Sequence, residues 1–129
     1  MFGWLKKKRP PPPNGPDFSA IDSREKAEAM FRRGELEKLF LLPLEFGGDD
    51  DPHNTVFVPV GTAAVKAGID QNVIAPLVEE GKVSRYTATP EYQGRSFIPI
   101  AIHVEASDPG QFSATLDIWG NALARNAET

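Results

Sequence analysis

The spacing of apolar positions changes several times along the chain, and each change predicts an element. Asp22 and Glu25 have the spacing of a capping box with Asp22 as N-cap. Ala27, Met30 and Phe31 then recur at helical intervals up to Gly34, which predicts a helix over residues 23–33. So short a helix is marginal alone in water, so its apolar stripe must pack on another element. From Leu36 to Phe46 the pattern becomes alternation, with Phe40, Leu42, Leu44 and Phe46 on one parity, and a first strand is expected there. Gly47, Gly48 and three aspartates supply the turn signal. Thr55–Val60 alternates Val56, Val58 and Val60 against Thr55, Phe57 and Pro59, which predicts a second strand antiparallel to the first.

Between Gly61 and Gly81, Val65, Ile69, Val73 and Leu77 repeat every fourth residue and predict a second helix, with Thr62 as its N-cap and Gly81 as a left-handed C-terminal cap. Pro76 removes one interior hydrogen bond and crowds the carbonyl four residues back. A kink or split is therefore expected near Gly68–Asp70, with Asp70 capping the second piece. The last third reads as a three-strand meander over Val83–Thr89, Ser96–Ala106 and Gln111–Trp119, with Trp119 as a lid on the core. In its final hairpin Ile98, Ile100, Ile102 and Val104 must share a buried face with Phe112, Ala114, Leu116 and Ile118. The opposite face then collects His103, Glu105, Ser113, Thr115 and Asp117. Leu42-Pro43-Leu44, Val58-Pro59-Val60 and Ile98-Pro99-Ile100 place a residue without an N–H in three predicted strands, so they belong at edges, strand ends or bulges.

The elements add up to an α+β fold: a single antiparallel sheet of about five strands with two helices packed on one face, in the order α-β-β-α-β-β-β. With 129 residues there is room for one domain, placed at residues 18–121. Residues 1–17 form a basic, proline-rich tail that lacks the material for a core, and 122–129 form a C-terminal tail.

Composition narrows the chemistry. The absence of cysteine excludes disulfide scaffolds, thiol nucleophiles and Cys-ligated metal centres, and no cofactor is expected. The net charge of −4 conceals an asymmetry: Lys6, Lys7, Lys8 and Arg9 leave −8 for the rest of the chain, where 10 basic side chains face 18 acidic ones. Such a domain repels phosphate, so nucleic acid is excluded as a partner and a basic protein or peptide is favoured. The short apolar tip Phe2, Trp4 and Leu5 precedes its cations rather than following them, unlike a secretory signal, and no apolar run is long enough to span a bilayer. A cytoplasmic location is expected, with weak peripheral membrane contact by the tail as the remaining membrane reading.

No catalytic motif of specific spacing is present. His103, Glu105 and Asp117, with Ser113 and Thr115 beside them, supply the acid, base and hydroxyls of a small hydrolase or ligand-binding face, but without a nucleophile elbow. Asp49, Asp50 and Asp51 form the densest acidic cluster. Asp49, Asp51 and His53 could hold a divalent ion, although the spacing is not that of a calcium loop. Tyr86, Tyr92 and Arg95 flank the turn at Gln93–Gly94 and have the composition of a binding hot spot. The expected function is a non-catalytic interaction domain with an acidic surface, in general type similar to the small acidic α+β proteins that neutralise a toxin. Its binding residues are Asp49, Asp50, Asp51, Tyr86, Tyr92 and Arg95; the alternative is a hydrolase or ligand-binding domain centred on His103.

Overall fold

A computed structural model describes residues 16–127. The expectation of a tail over residues 1–17 therefore lies almost wholly outside the described residues. The chain is α+β, and its elements run α1 (Arg24–Arg32), β1 (Leu36–Phe40), β2 (Thr55–Pro59), α2 (Thr62–Ile69), a π-helical turn (Asp70–Ile74), α3 (Ala75–Glu79), β3 (Arg85–Glu91), β4 (Ala101–Ser107), β5 (Gln111–Asp117) and α4 (Asn121–Ala127). Among the described residues no helix is long and apolar enough to cross a membrane.

The five strands form two antiparallel sheets, not one: a ribbon β1-β2 and a three-stranded sheet β3-β4-β5. The first strand ends at Phe40 instead of running to Phe46. Pro43 has no N–H to give a ladder, and the chain turns into a 3-10 turn at Leu44–Phe46. Pro59 closes β2, Pro99 lies just ahead of β4 and Pro43 lies outside any strand, so none of the three prolines is inside a ladder.

The two helices also do not share a face. Val56 and Val58 of β2 point into a core with Leu39, Ile74, Val83, Ile102, Val104 and Leu116, while Phe57 points the other way into a second core with Ala27, Ile98, Ile100 and Trp119. The ribbon is thus buried on both sides, with α1 on one and the α2–α3 rod on the other. Val60, expected to join Val56 and Val58, lies beyond the strand and is exposed.

Helix α1 is capped by Ser23, whose hydroxyl accepts from the Lys26 amide, and not by Asp22, which pairs with Lys26 Nζ at 2.8 Å. At the far end of the rod the Gly81 amide reaches Val78 O and the Lys82 amide reaches Leu77 O, the paired bonds of a Schellman turn, with Gly81 at φ +74° as its left-handed residue. The rod is interrupted at Asp70–Ile74, just beyond the expected Gly68–Asp70, and as a π-turn rather than a split. Asp70 caps nothing; it is helical and buried. The rod's fully buried side chains are Lys66, Asp70 and Ile74, one residue on from the predicted stripe, of which Ile69 and Leu77 still pack on the first core while Val65 is 60% exposed. Thr62 is not the N-cap either. Gly61 holds that position, and the cap is supplied from β1, where Glu37 accepts from the Gly61 and Ala63 amides at 2.9 Å each.

In the final hairpin the parity argument holds. Ile102 pairs with Leu116, Val104 with Ala114 and Ala106 with Phe112, while His103 pairs with Thr115 and Glu105 with Ser113 on the opposite face. Regular pairing starts at Ala101 rather than Ser96. Ile98 and Ile100 are buried in the second core, where the Trp119 indole donates to Ile98 O at 3.0 Å. Residues 122–129, read as a tail, begin instead with the helix α4, entered through Gly120.

Candidate functional site

Three places concentrate polar chemistry. The first is buried. In the rod Lys66 and Asp70 are one helical turn apart, and β3 brings Tyr86 over both. Lys66 Nζ donates to Asp70 Oδ2 and to the Tyr86 hydroxyl, which in turn donates to Asp70 Oδ1, each at 2.7 Å. The Lys66 and Asp70 side chains are only 3% exposed. Burial pushes the Lys66 ammonium below its ordinary value against the pull of Asp70; burial and the bond to Asp70 both push the Tyr86 phenol up. With every buried polar atom engaged, this node fastens the π-turn to β3. Two clefts flank it, of about 370 Å³ beside Pro43, Leu44 and Ala67 and about 390 Å³ beside Leu42, Phe46 and Val78. Glu45 stands on the rim of both. Its carboxylate is held below its usual range by its own backbone amide, then by Gln71 and Lys66.

The second place is the polar face of the three-stranded sheet. His103 Nδ1 lies 3.1 Å from Thr115 Oγ1, and His103 Nε2 lies 2.9 Å from Glu91 Oε1. A carboxylate only accepts, so the neutral ring carries its proton on Nε2 and Nδ1 accepts from Thr115. Arg125 of α4 grips Glu91 with two bonds of 3.1 Å, and Arg125 first, then His103, hold the Glu91 carboxyl below its usual range. Glu105 and Asp117, the expected companions of His103, lie on the same face, but neither is among its bonding partners. Glu105 stands two residues along β4 from His103, roughly 7 Å away, and Asp117 lies one such step beyond Thr115, while both ring nitrogens are already taken by Thr115 and Glu91. Geometrically the face holds a hydroxyl, an imidazole and a carboxylate in line.

The third place is the loop from Glu45 to His53. Asn54 stitches it, exchanging bonds with Leu42 and donating to Asp49 O at 2.9 Å. Asp51 is used as the N-cap of a 3-10 turn at Pro52–Asn54, where it accepts from the His53 amide at 2.8 Å, while Asp49 and Asp50 are exposed. The His53 ring is 99% exposed and 3.8 Å from Asp51. Asp49, Asp51 and His53 do not converge, and among the described residues no three His, Asp or Glu side chains are close enough to hold a metal ion.

The expected trio of Tyr86, Tyr92 and Arg95 is divided. Tyr86 lies near the start of β3 and Tyr92 just past its end, roughly 20 Å along an extended strand. Tyr86 is drawn inward to Lys66, Asp70 and the Phe46 ring, whereas Tyr92 and Arg95 stay at the surface. Lys66, Glu91 and Arg125 are not singled out by the pattern, and Asp70 is marked there only as a helix cap. An i,i+4 Lys-Asp pair next to an apolar stripe reads as a solvated ion pair, and only the one-residue rotation of the rod turns it inward. Compared with known proteins, the chain matches no family model, no curated protein and no solved structure.

Proposed function

We propose that this chain is a non-catalytic protein-interaction domain that presents an acidic surface to a basic protein, with an inhibitor of the toxin-neutralising type as its most specific form. The observation that carries the reading is how the charges are spent. Of the ten cationic side chains among the described residues, seven are engaged with the chain's own carboxylates, and Lys38 lies over the Phe31 ring. Glu45, Asp49, Asp50, Glu79, Glu105 and Asp117 form no ion pair among the described residues. The surface field is therefore negative, and a field of this kind steers and retains basic partners. In a capture experiment with the immobilised chain, retained proteins should be basic and should elute as salt screens the field. Retention of nothing at any ionic strength contradicts the proposal.

One observation favours a second reading, a small hydrolase or ligand-binding face: the line Thr115, His103, Glu91. Against it, the face is an open sheet without a nucleophile elbow, and polar cross-strand pairs are what such a face ordinarily bears. His103→Ala should leave an ester-hydrolysis assay at its background rate; loss of a measurable activity in that variant would favour this second reading.

A further inference from the structure

Order β3-β4-β5 leaves β5 at the edge of its sheet, and among the described residues no backbone group from outside the sheet bonds to Gln111–Asp117. Every second residue of β5 therefore offers an N–H and a C=O outward. The other edges carry devices that discourage pairing: Lys38 in β1, Pro59 at the end of β2, Pro90 in β3. Strand β5 has no lysine and no proline. Along its Thr115–Asp117 end runs a groove of about 330 Å³, walled by Val65 and Ile69 of α2 and Leu123 of α4. These apolar walls include Val65, which the sequence pattern places in the core and the fold leaves exposed.

We propose that this groove receives an extended segment of the basic partner as an added strand on β5. The proposal rests on the acidic-interaction reading and gives it a place and a mode. Main-chain bonds to the β5 edge supply affinity, and alternation sorts the side chains. Those continuing the Phe112, Ala114 and Leu116 face meet Val65 and Ile69, so they are apolar; those on the other face lie beside Asp117, so they include a lysine or arginine. The same charge argument selects against a second copy. Asp117 is the one charged residue of β5, so β5 paired with itself brings no cation to it.

The test titrates the isotope-labelled full chain with a synthetic seven-residue peptide alternating valine with lysine, and with two versions N-methylated on alternate amides. The expected result is amide shifts confined to β5, α2 and α4, binding lost at least tenfold for one N-methylated version and kept for the other, and at least tenfold weaker binding to Asp117→Lys. Shifts confined to the Glu45–Asp51 loop, or equal binding of both N-methylated versions, overturn the strand-addition inference and leave the acidic-interaction reading standing. Absence of binding by any basic peptide at low salt overturns both. A concentration-dependent dimer whose β5 amides are protected without peptide overturns the inference in favour of a second copy.

Discussion

At the scale of single residues, the most consequential groups are Lys66, Asp70 and Tyr86. Two opposite charges taken out of water stabilise a fold only while both remain, because removal of one strands the other in a poorly solvated site. Lys66→Met should therefore cost about 3–5 kcal/mol in urea unfolding. The combined Lys66→Met, Asp70→Leu and Tyr86→Phe variant should recover most of that loss; a triple variant less stable than Lys66→Met contradicts the role assigned to the node. At the sheet face Glu91 is the group to titrate. Its folded carboxyl is held below the unfolded value by Arg125 and His103, so its contribution is complete above the ordinary carboxylate range and is lost as pH falls through the depressed one. The difference in Tm between the wild-type chain and Glu91→Gln should persist on acidification down to the ordinary carboxylate range and narrow below it. A difference that stays constant to the acid limit contradicts that assignment.

At the scale of elements, two ends of the α2–α3 rod are fixed by single contacts. Glu37→Ala removes the side chain that, among the described residues, caps α2 and should destabilise by about 0.5–2 kcal/mol in denaturant unfolding. Gly81→Ala forces a side chain into the left-handed region and should cost about 1–2 kcal/mol. Gly81 was legible in the sequence because a helix C-terminus leaves a local signature, and so was the buried face of β4 and β5, because alternation over seven residues admits one buried parity. Glu37 was not legible, since its two bonds cross 24 and 26 residues and no local pattern records them. The phase of the rod is only half legible for a related reason, since Ile69 and Leu77 of the apolar stripe pack on the first core while Val65 and Val73 are exposed. A stripe of four apolar residues looks more buried than a stripe containing lysine and aspartate, yet Tyr86, arriving from β3, makes the polar stripe the one that fits inside. Of the candidate site, His103 and its outward direction came from parity, whereas its partner Glu91 depended on the pairing of β3 with β4 and Arg125 on a helix where the sequence suggested only a tail.

At the scale of the whole molecule, splitting the strands into a ribbon and a three-stranded sheet has two effects. It buries β2 on both faces, which joins the two cores through one strand, and among the described residues it leaves the outer edge of β5 unpaired beside an acidic side chain. The surplus of carboxylates reaches the assembled surface because ion pairing within the fold takes up seven of the ten described cations with seven acids and leaves ten of the seventeen described carboxylates without a lysine or arginine partner. The most direct measurement is the affinity of the chain for its most strongly captured basic partner across a range of ionic strength, compared between the wild-type chain and the Glu105→Lys, Asp117→Lys double variant. Affinity should fall steadily with added salt and drop by at least tenfold in the variant at low salt; an affinity indifferent both to salt and to these charge reversals contradicts the account.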